Sequence, residues 1–325
     1  MNIDRFMTNV IVSAKNQLRA GLLQFCHILL KGFQHKELED FYNTWYRPDY
    51  QAVVIVGDID VDAVENKLKT LMSDIPAPAA DAAQKEVITV PDNEEPIISI
   101  YTDPEMQGSR VQVFVKRPAV PEQYNNLVYG EMLDVVQAYM TTMENARLQE
   151  ISMQPDAPFL GAGMNSGSIG VIPTLEATTF VAMTQDGKLA QGFEALYTEM
   201  EKVRRYGFTQ GEFERAQNDL MRRAERSYTN RNAEFVQTYL DNYQQNTPMP
   251  DAETEWQLDS MLIKALNVEA VNAFAQQAIY PNNQVIVITA PEKEGVVNPT
   301  AEEILAIRDK VAAAEIEAYE DNTVK

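Results

Sequence analysis

The sequence predicts a chain of helices and strands organised by one domain-scale duplication. Three observations carry this. A helix, a Pro stop and an apolar strand recur in two places; a run of strands precedes a run of helices; and the composition suits a packed core. The duplicated pieces are "FYNTWYRPDYQAVVIV" and "FAQQAIYPNNQVIVIT", which align without gaps at an offset of 233. Phe41 matches Phe274, Tyr46 matches Ile279, Pro48 matches Pro281, Gln51 matches Gln284, and Val53 to Ile55 match Ile286 to Ile288; Leu38 and Val271 extend the match. A single match at this separation marks repeated domains rather than a solenoid.

Within the first piece, Leu38, Phe41, Trp45 and Tyr46 fall near helical spacing. Pro48 ends that helix and pushes Arg47 out of helical geometry. Ala52 to Val56 ("AVVIV") has the length and β-branching of a buried strand. Asp62 and Glu65 suggest a capping box for a helix from Ala63 to Ser73. The Ala-, Pro- and acid-rich stretch 77–95 reads as a linker holding one strand-like "VITV".

Strands are expected at Ile97 to Tyr101 and Arg110 to Lys116, then a long helix from Asn125 to Ile151. Phe159 to Ile172 and Leu175 to Thr184 read as a strand pair turned near Pro173. Leu189 to Tyr206 is a helix closed by Gly207. Thr209 and Glu212 form a second capping box, opening a helix that reaches toward Asn246. A helix over Thr254 to Ile279, a strand over Gln284 to Thr289 and an Ala/Glu-rich helix over Thr300 to Glu320 complete the chain.

The 325 residues are 45% apolar and 23% charged, as in ordinary globular proteins. With 27 basic against 48 acidic residues the net charge is −21, which argues against a nucleic-acid partner. No apolar run approaches the ~20 residues that span a bilayer, and the N-terminus makes a poor signal peptide. Cys26 is the one cysteine, so no internal disulfide forms. Periplasm and cytoplasm both stay open.

Few residues offer chemistry. His27 and His35 are the two histidines, eight apart, whereas paired ligands on one helix stand three or four apart. Glu37, Glu39 and Asp40 lie near His35 but suit a helix start, where acids meet the dipole. Cys26 sits in "LLQFCHILL", the surroundings of a buried thiol rather than a nucleophile. "GAGMNSGSIG" (161–170) lacks the Lys-Ser/Thr ending of a phosphate loop. Its alternating glycines suit a strand that another backbone approaches, including a peptide-contacting edge. "RRAERSYTNR" (222–231) reads as a solvated helix face. No catalytic, cofactor or metal residue is assigned.

"ELEDFYNTWYRPDYQAVVIVGDIDVDAVENKLKTLMSDIP" resembles the insulinase/pitrilysin metallopeptidases, where their first domain ends and the second begins. "GFTQGEFERAQNDL" is similar to the pattern opening a long helix of their second domain, with Phe213 where Leu is common. The resemblance spans roughly residues 34–294; residues 1–33 fit it poorly. It implies an α+β fold of tandem rolls, each an antiparallel-rich sheet with helices on one face, the first copy truncated. The expected division is 1–76 for the tail of the first roll, 77–95 for a linker, 96–294 for the second, non-catalytic roll and 295–325 for a helical linker.

The family holds zinc through His-x-x-Glu-His and a later Glu. That motif is absent from this sequence, so no catalytic residue carries over. The resemblance implies a fragment of a zinc endopeptidase that walls a peptide-binding chamber and is inactive alone, zinc belonging to the complete enzyme. The alternative is a metal-free scaffold or peptide-binding subunit. Its expected partners are a peptide substrate and the remaining domains or a subunit of the same fold. A roll tail without its other half should also leave apolar sheet surface uncovered.

Overall fold

The computed structural model describes residues 34–85, 87–169, 172–230 and 235–321. They divide into two compact units, one of the described residues up to 88 together with those of 230–249, and the other of those in 89–229 and 250–321.

In the first unit, helix α1 (His35–Trp45) is followed by a 3-10 turn at Pro48–Tyr50 and helix α2 (Val61–Met72). Asp60 caps α2 by accepting the Ala63 N–H, two residues before the expected Asp62–Glu65 box. A residue preceding the first turn has its carboxylate where the free N–H groups point. The expected strand Ala52 to Val56 forms no strand among the described residues, and Val53 and Ile55 are 58% and 47% exposed. A buried strand needs neighbours on both edges, and the described part of this unit supplies neither. "VITV" likewise forms no strand among its described residues.

The second unit is built on a five-stranded sheet: β1 (Ile97–Asp103), β2 (Ser109–Pro118), β3 (Gly161–Ser168), β4 (Leu175–Thr184) and β5 (Gln284–Pro291). Their order is β1-β5-β2-β4-β3, with β1 and β5 parallel and the other pairs antiparallel. Side chains alternate across a sheet, and the register places Val113 beside Phe180 and Ile286, then Val111 beside Ala182 and Ile288. All six are fully buried.

The helices cover this inner row. Helix α3 (Val128–Ser152) contributes Tyr139, Met140, Met143 and Leu148; helix α4 (Leu189–Tyr206) contributes Phe193, Leu196 and Met200. Helix α5 (Gln210–Asn230) stacks Phe213 on Tyr139, ring centroids 4.6 Å apart. The observed boundaries of α4 are those expected, because Gly207 takes φ +69°, a left-handed end that a side chain resists. Thr209 and Glu212 cap α5 reciprocally.

The expected helix to Asn246 is helical over α5 and again over α6 (Phe235–Gln245), residues 231–234 lying outside the described residues. The expected helix 254–279 is α7 (Ala252–Ala265) and α8 (Val268–Ala278), because Asn267 stops one and caps the next through the Ala270 N–H. Helix α9 (Ala301–Ala313) is shorter than expected, and residues 314–321 run on as an extended strap.

The duplication is visible in the backbone. α1 and α8 each span eleven residues at the offset of 233, and the N–H groups of Tyr46 and Ile279 close onto the carbonyls of Tyr42 and Ala275. The fold is α+β, a mixed sheet with helices packed on one face.

Candidate functional site

The face of the sheet opposite the helices carries Gln112, Phe114, Thr179 and Val181, which line an open groove of about 580 Å³. The groove reaches β3, the edge strand, at Gly163 and Asn165, the register partners of Val181 and Thr179. Glycine leaves bare backbone there, which lets another chain come close. Arg110, farther along the groove, is exposed.

The edge is held from α3. Asn145 accepts the Met164 N–H at 2.7 Å and donates to the Met164 carbonyl at 2.9 Å. Its carboxamide thus takes the place a neighbouring strand's peptide group would occupy. Ala162 and Ser166 lie two residues either side and turn their backbone groups the same way. A second tether is Arg117, which donates to Ser166 Oγ, Thr178 Oγ1, Gln137 Oε1 and both ways to Glu176 Oε2, through Nε at 3.1 Å and Nη2 at 2.8 Å. This fork ties β2, β3, β4 and α3 together at one end of the sheet. It serves orientation, not chemistry.

The deepest charge cluster is also structural. Arg147 donates to Glu212 at 2.6 and 2.8 Å, to Glu199 at 3.2 Å and to the Gly207 carbonyl at 3.0 Å. Its guanidinium lies between the Phe208 and Tyr319 rings, 4.9 and 4.2 Å from their centroids. Glu144, next to it on α3, is fully buried with both carboxylate oxygens unpartnered. Desolvation first, and then the Glu199 charge, push its carboxyl well above the usual range, against the opposing pull of Arg147. Burial without a hydrogen-bond partner thus favours the protonated form of Glu144.

The residues singled out from sequence do not converge. Cys26 and His27 lie outside the described residues. His35 opens α1 on an exposed turn. Glu37 accepts the Gln34 N–H at that helix start, and Asp40 pairs with Lys36 at 2.7 Å. Arg222 and Arg223 pair with Asp219 on their own helix. The glycine-rich run is β3. Among the described residues no three His, Cys, Asp or Glu side chains are grouped to hold a metal, so a family zinc does not fit these described residues. No described helix is long and apolar enough to cross a membrane. The Asn145 clasp and the Arg117 fork were missed, because nothing local in sequence announces a contact between α3 and β3.

The described residues thus define an α+β roll that presents an edge strand beside an open groove. The family model for the Peptidase M16 inactive domain matches residues 32–220, and the chain belongs to that family. It is 23% identical over 304 residues to the probable zinc protease PqqL of Escherichia coli, covering 87% of this chain and 30% of that protein. It is 24% identical over 245 residues to the zinc protease PQQL-like of Arabidopsis thaliana, covering 74% and 22%. The chain thus spans less than a third of these relatives. The crystal structure of the first half of the periplasmic protease PqqL from Escherichia coli superposes with a TM-score of 0.74 at 19% identity, covering 90% of this chain and 62% of that one. That likeness shows the fold.

Proposed function

We propose that the chain forms the non-catalytic wall of a zinc peptidase's peptide-binding chamber, joined to the tail of the catalytic roll. In this reading residues 1–76 are that tail, 77–95 a linker, 96–294 the walling roll and 295–325 the connection onward. The zinc and its ligands belong to the rest of the enzyme. The observation that supports the reading is the groove running to the glycine-bearing β3 edge, where a peptide's main chain can lie against bare backbone.

The test has two parts. Pure chain with added zinc and a fluorogenic peptide should give no turnover above blank; chelator-sensitive turnover would overturn the reading. A fluorescein-labelled extended peptide of roughly a dozen residues should bind, with Thr179→Trp and Gly163→Val each weakening it at least ~5-fold, about 1 kcal/mol. Equal affinity of both variants would remove the groove from the argument.

A second reading, a metal-free scaffold subunit, draws on the exposed apolar run Ala52 to Val56. A partner that adds strands there would serve assembly rather than substrate capture.

A further inference from the structure

Where α3 begins, Tyr124, Leu127, Val128, Tyr129 and Met132 form an exposed apolar face. The face is built rather than frayed. Tyr124 and Tyr129 meet edge to face at 6.2 Å. Gly130 lets the Tyr124 carbonyl come so near that a Cβ at this position would sit 2.8 Å from it, so the approach is fixed by the absence of a side chain.

Carboxylates border this face. Glu131 lies one turn beyond Leu127 and Val128, and Asp134 is three residues further, so both share their side of the helix. On α7, Glu255 and Asp259 stand at the same one-turn spacing, and both act electrostatically on Glu131. Among the described residues no ion pair or hydrogen bond reaches Glu131, Asp134 or Asp259. Arg117, the cation at this end of the sheet, is committed to Glu176 on β4.

An empty surface of this kind is under electrostatic tension. Desolvation first, then Asp134, Asp259 and Glu255, raise Glu131 to about 7. Desolvation first, then Glu176, raise Asp134 to about 6, and desolvation with Glu255 raises Asp259 to about 6. An occupant that relieves this must bring positive charge and cover apolar surface together. A purely apolar partner would bury unpaired carboxylates. An acidic partner or a nucleic acid would add like charge. A lone metal ion would leave the apolar face bare, and no group of three ligands is present among the described residues.

We propose that the start of α3 and the facing turns of α7 dock a basic amphipathic segment of a partner polypeptide. Its apolar side chains rest on the face from Leu127 to Met132. Its Lys or Arg side chains, spaced by one helical turn, reach Glu131, Asp134 and Asp259. This surface is distinct from the groove on the other side of the sheet, and the proposal stands whether or not the groove binds peptide.

Proton linkage gives the test its edge. Bound cations favour the ionised carboxylates, so docking drives protons off Glu131, Asp134 and Asp259. Ordinary surface carboxylates titrate near ~4 and are fully charged at pH 5.5 and above. Attraction to the general acidity of the protein would therefore hardly change between pH 8 and 5.5, whereas docking here weakens as pH falls through 7 and 6.

The probe is a synthetic amphipathic helix of Lys and Leu, with a Glu-for-Lys control, followed by fluorescence anisotropy and by calorimetry in two buffers of different ionisation enthalpy. The expected result is binding at pH 8 that falls at least tenfold at pH 5.5, with proton release near pH 6.5. E131Q/D134N/E255Q/D259N should lose at least tenfold and the pH dependence with it. E292Q/E294Q/E315Q/E317Q, which removes four exposed carboxylates elsewhere, should lose little. Val128→Ser with Met132→Ser should weaken binding at unchanged charge, and Thr179→Trp in the groove should leave it alone. Equal losses in the two charge variants, a flat pH profile, or indifference to the serine pair would each overturn the proposal. Circular dichroism of every variant confirms that the fold is retained.

Discussion

Asn145 on α3 and Met164 on β3 are joined by two hydrogen bonds, side-chain amide against main chain, at 2.7 and 2.9 Å. The pair ends the sheet without a further strand. Asn145→Leu keeps the volume near constant but leaves a half-buried N–H and carbonyl without partners, so stability should fall by ~1–3 kcal/mol. Asn145→Asp, retaining the acceptor alone, should fall between Leu and the parent. Urea unfolding gives the magnitude, and faster hydrogen exchange at Met164 locates it.

Removing Arg147 should be more damaging. Arg147→Met takes the buried cation away from Glu212 and Glu199, 5% and 2% exposed, leaving Glu212 its Thr209 bonds and Glu199 its Lys202 pair, and removes the guanidinium donor to the Gly207 carbonyl. Breaking one side of a buried pair costs about 3–5 kcal/mol. A double variant with Glu212→Leu should recover part of that loss, and chemical denaturation of the four species measures the coupling.

Glu144 makes stability depend on pH with a definite sign. Its folded carboxyl holds a proton that the unfolded chain releases above ~4.3. The folded state binds more protons, so stability falls as pH rises above that value, by up to ~1.4 kcal/mol per pH unit until the folded group ionises. Glu144→Gln has no proton to lose. It should match the parent near pH 4 and exceed it increasingly toward pH 7 and 8, as read by midpoints of thermal unfolding. A constant difference across that range would contradict a Glu144 carboxyl raised by burial.

The two copies of the duplicated unit should answer the same substitution differently. Ile286 and Ile288 are fully buried, and Lys at either should prevent folding or remove ~4 kcal/mol or more. Val53→Lys and Ile55→Lys, at the matching positions, should leave the thermal midpoint nearly unchanged. They should also reduce self-association in light scattering, since a charge on an unpaired strand blocks edge pairing.

Local signals were legible and long-range ones were not. The end of α4 follows from Gly207, the start of α5 from Thr209 and Glu212, β2 from its alternating Val residues, and the β3–β4 pair from its turn near Pro173. Ala52 to Val56 carries the same strand signature as β5, yet pairing depends on neighbours that a local window does not contain. Asn267 was readable as a cap, but apolar periodicity continues smoothly past it. The strap 314–321 has helix-forming composition, while Arg205, Tyr206 and Arg215 hold it by tertiary bonds to Ala314, Ile316 and Asp321. At the candidate sites, Glu131 and Asp259 lie 128 residues apart, and only folding brings their charges together.

The repeated helix–Pro–strand unit makes this polypeptide its own yardstick. One tube holds two related sixteen-residue passages, one with its strand sealed between β1 and β2 and one with its apolar run largely exposed. Deuterium uptake of peptides covering 51–56 and 284–289, recorded together, would isolate what sheet membership does to amide lability, with solvent, temperature and digestion shared by construction.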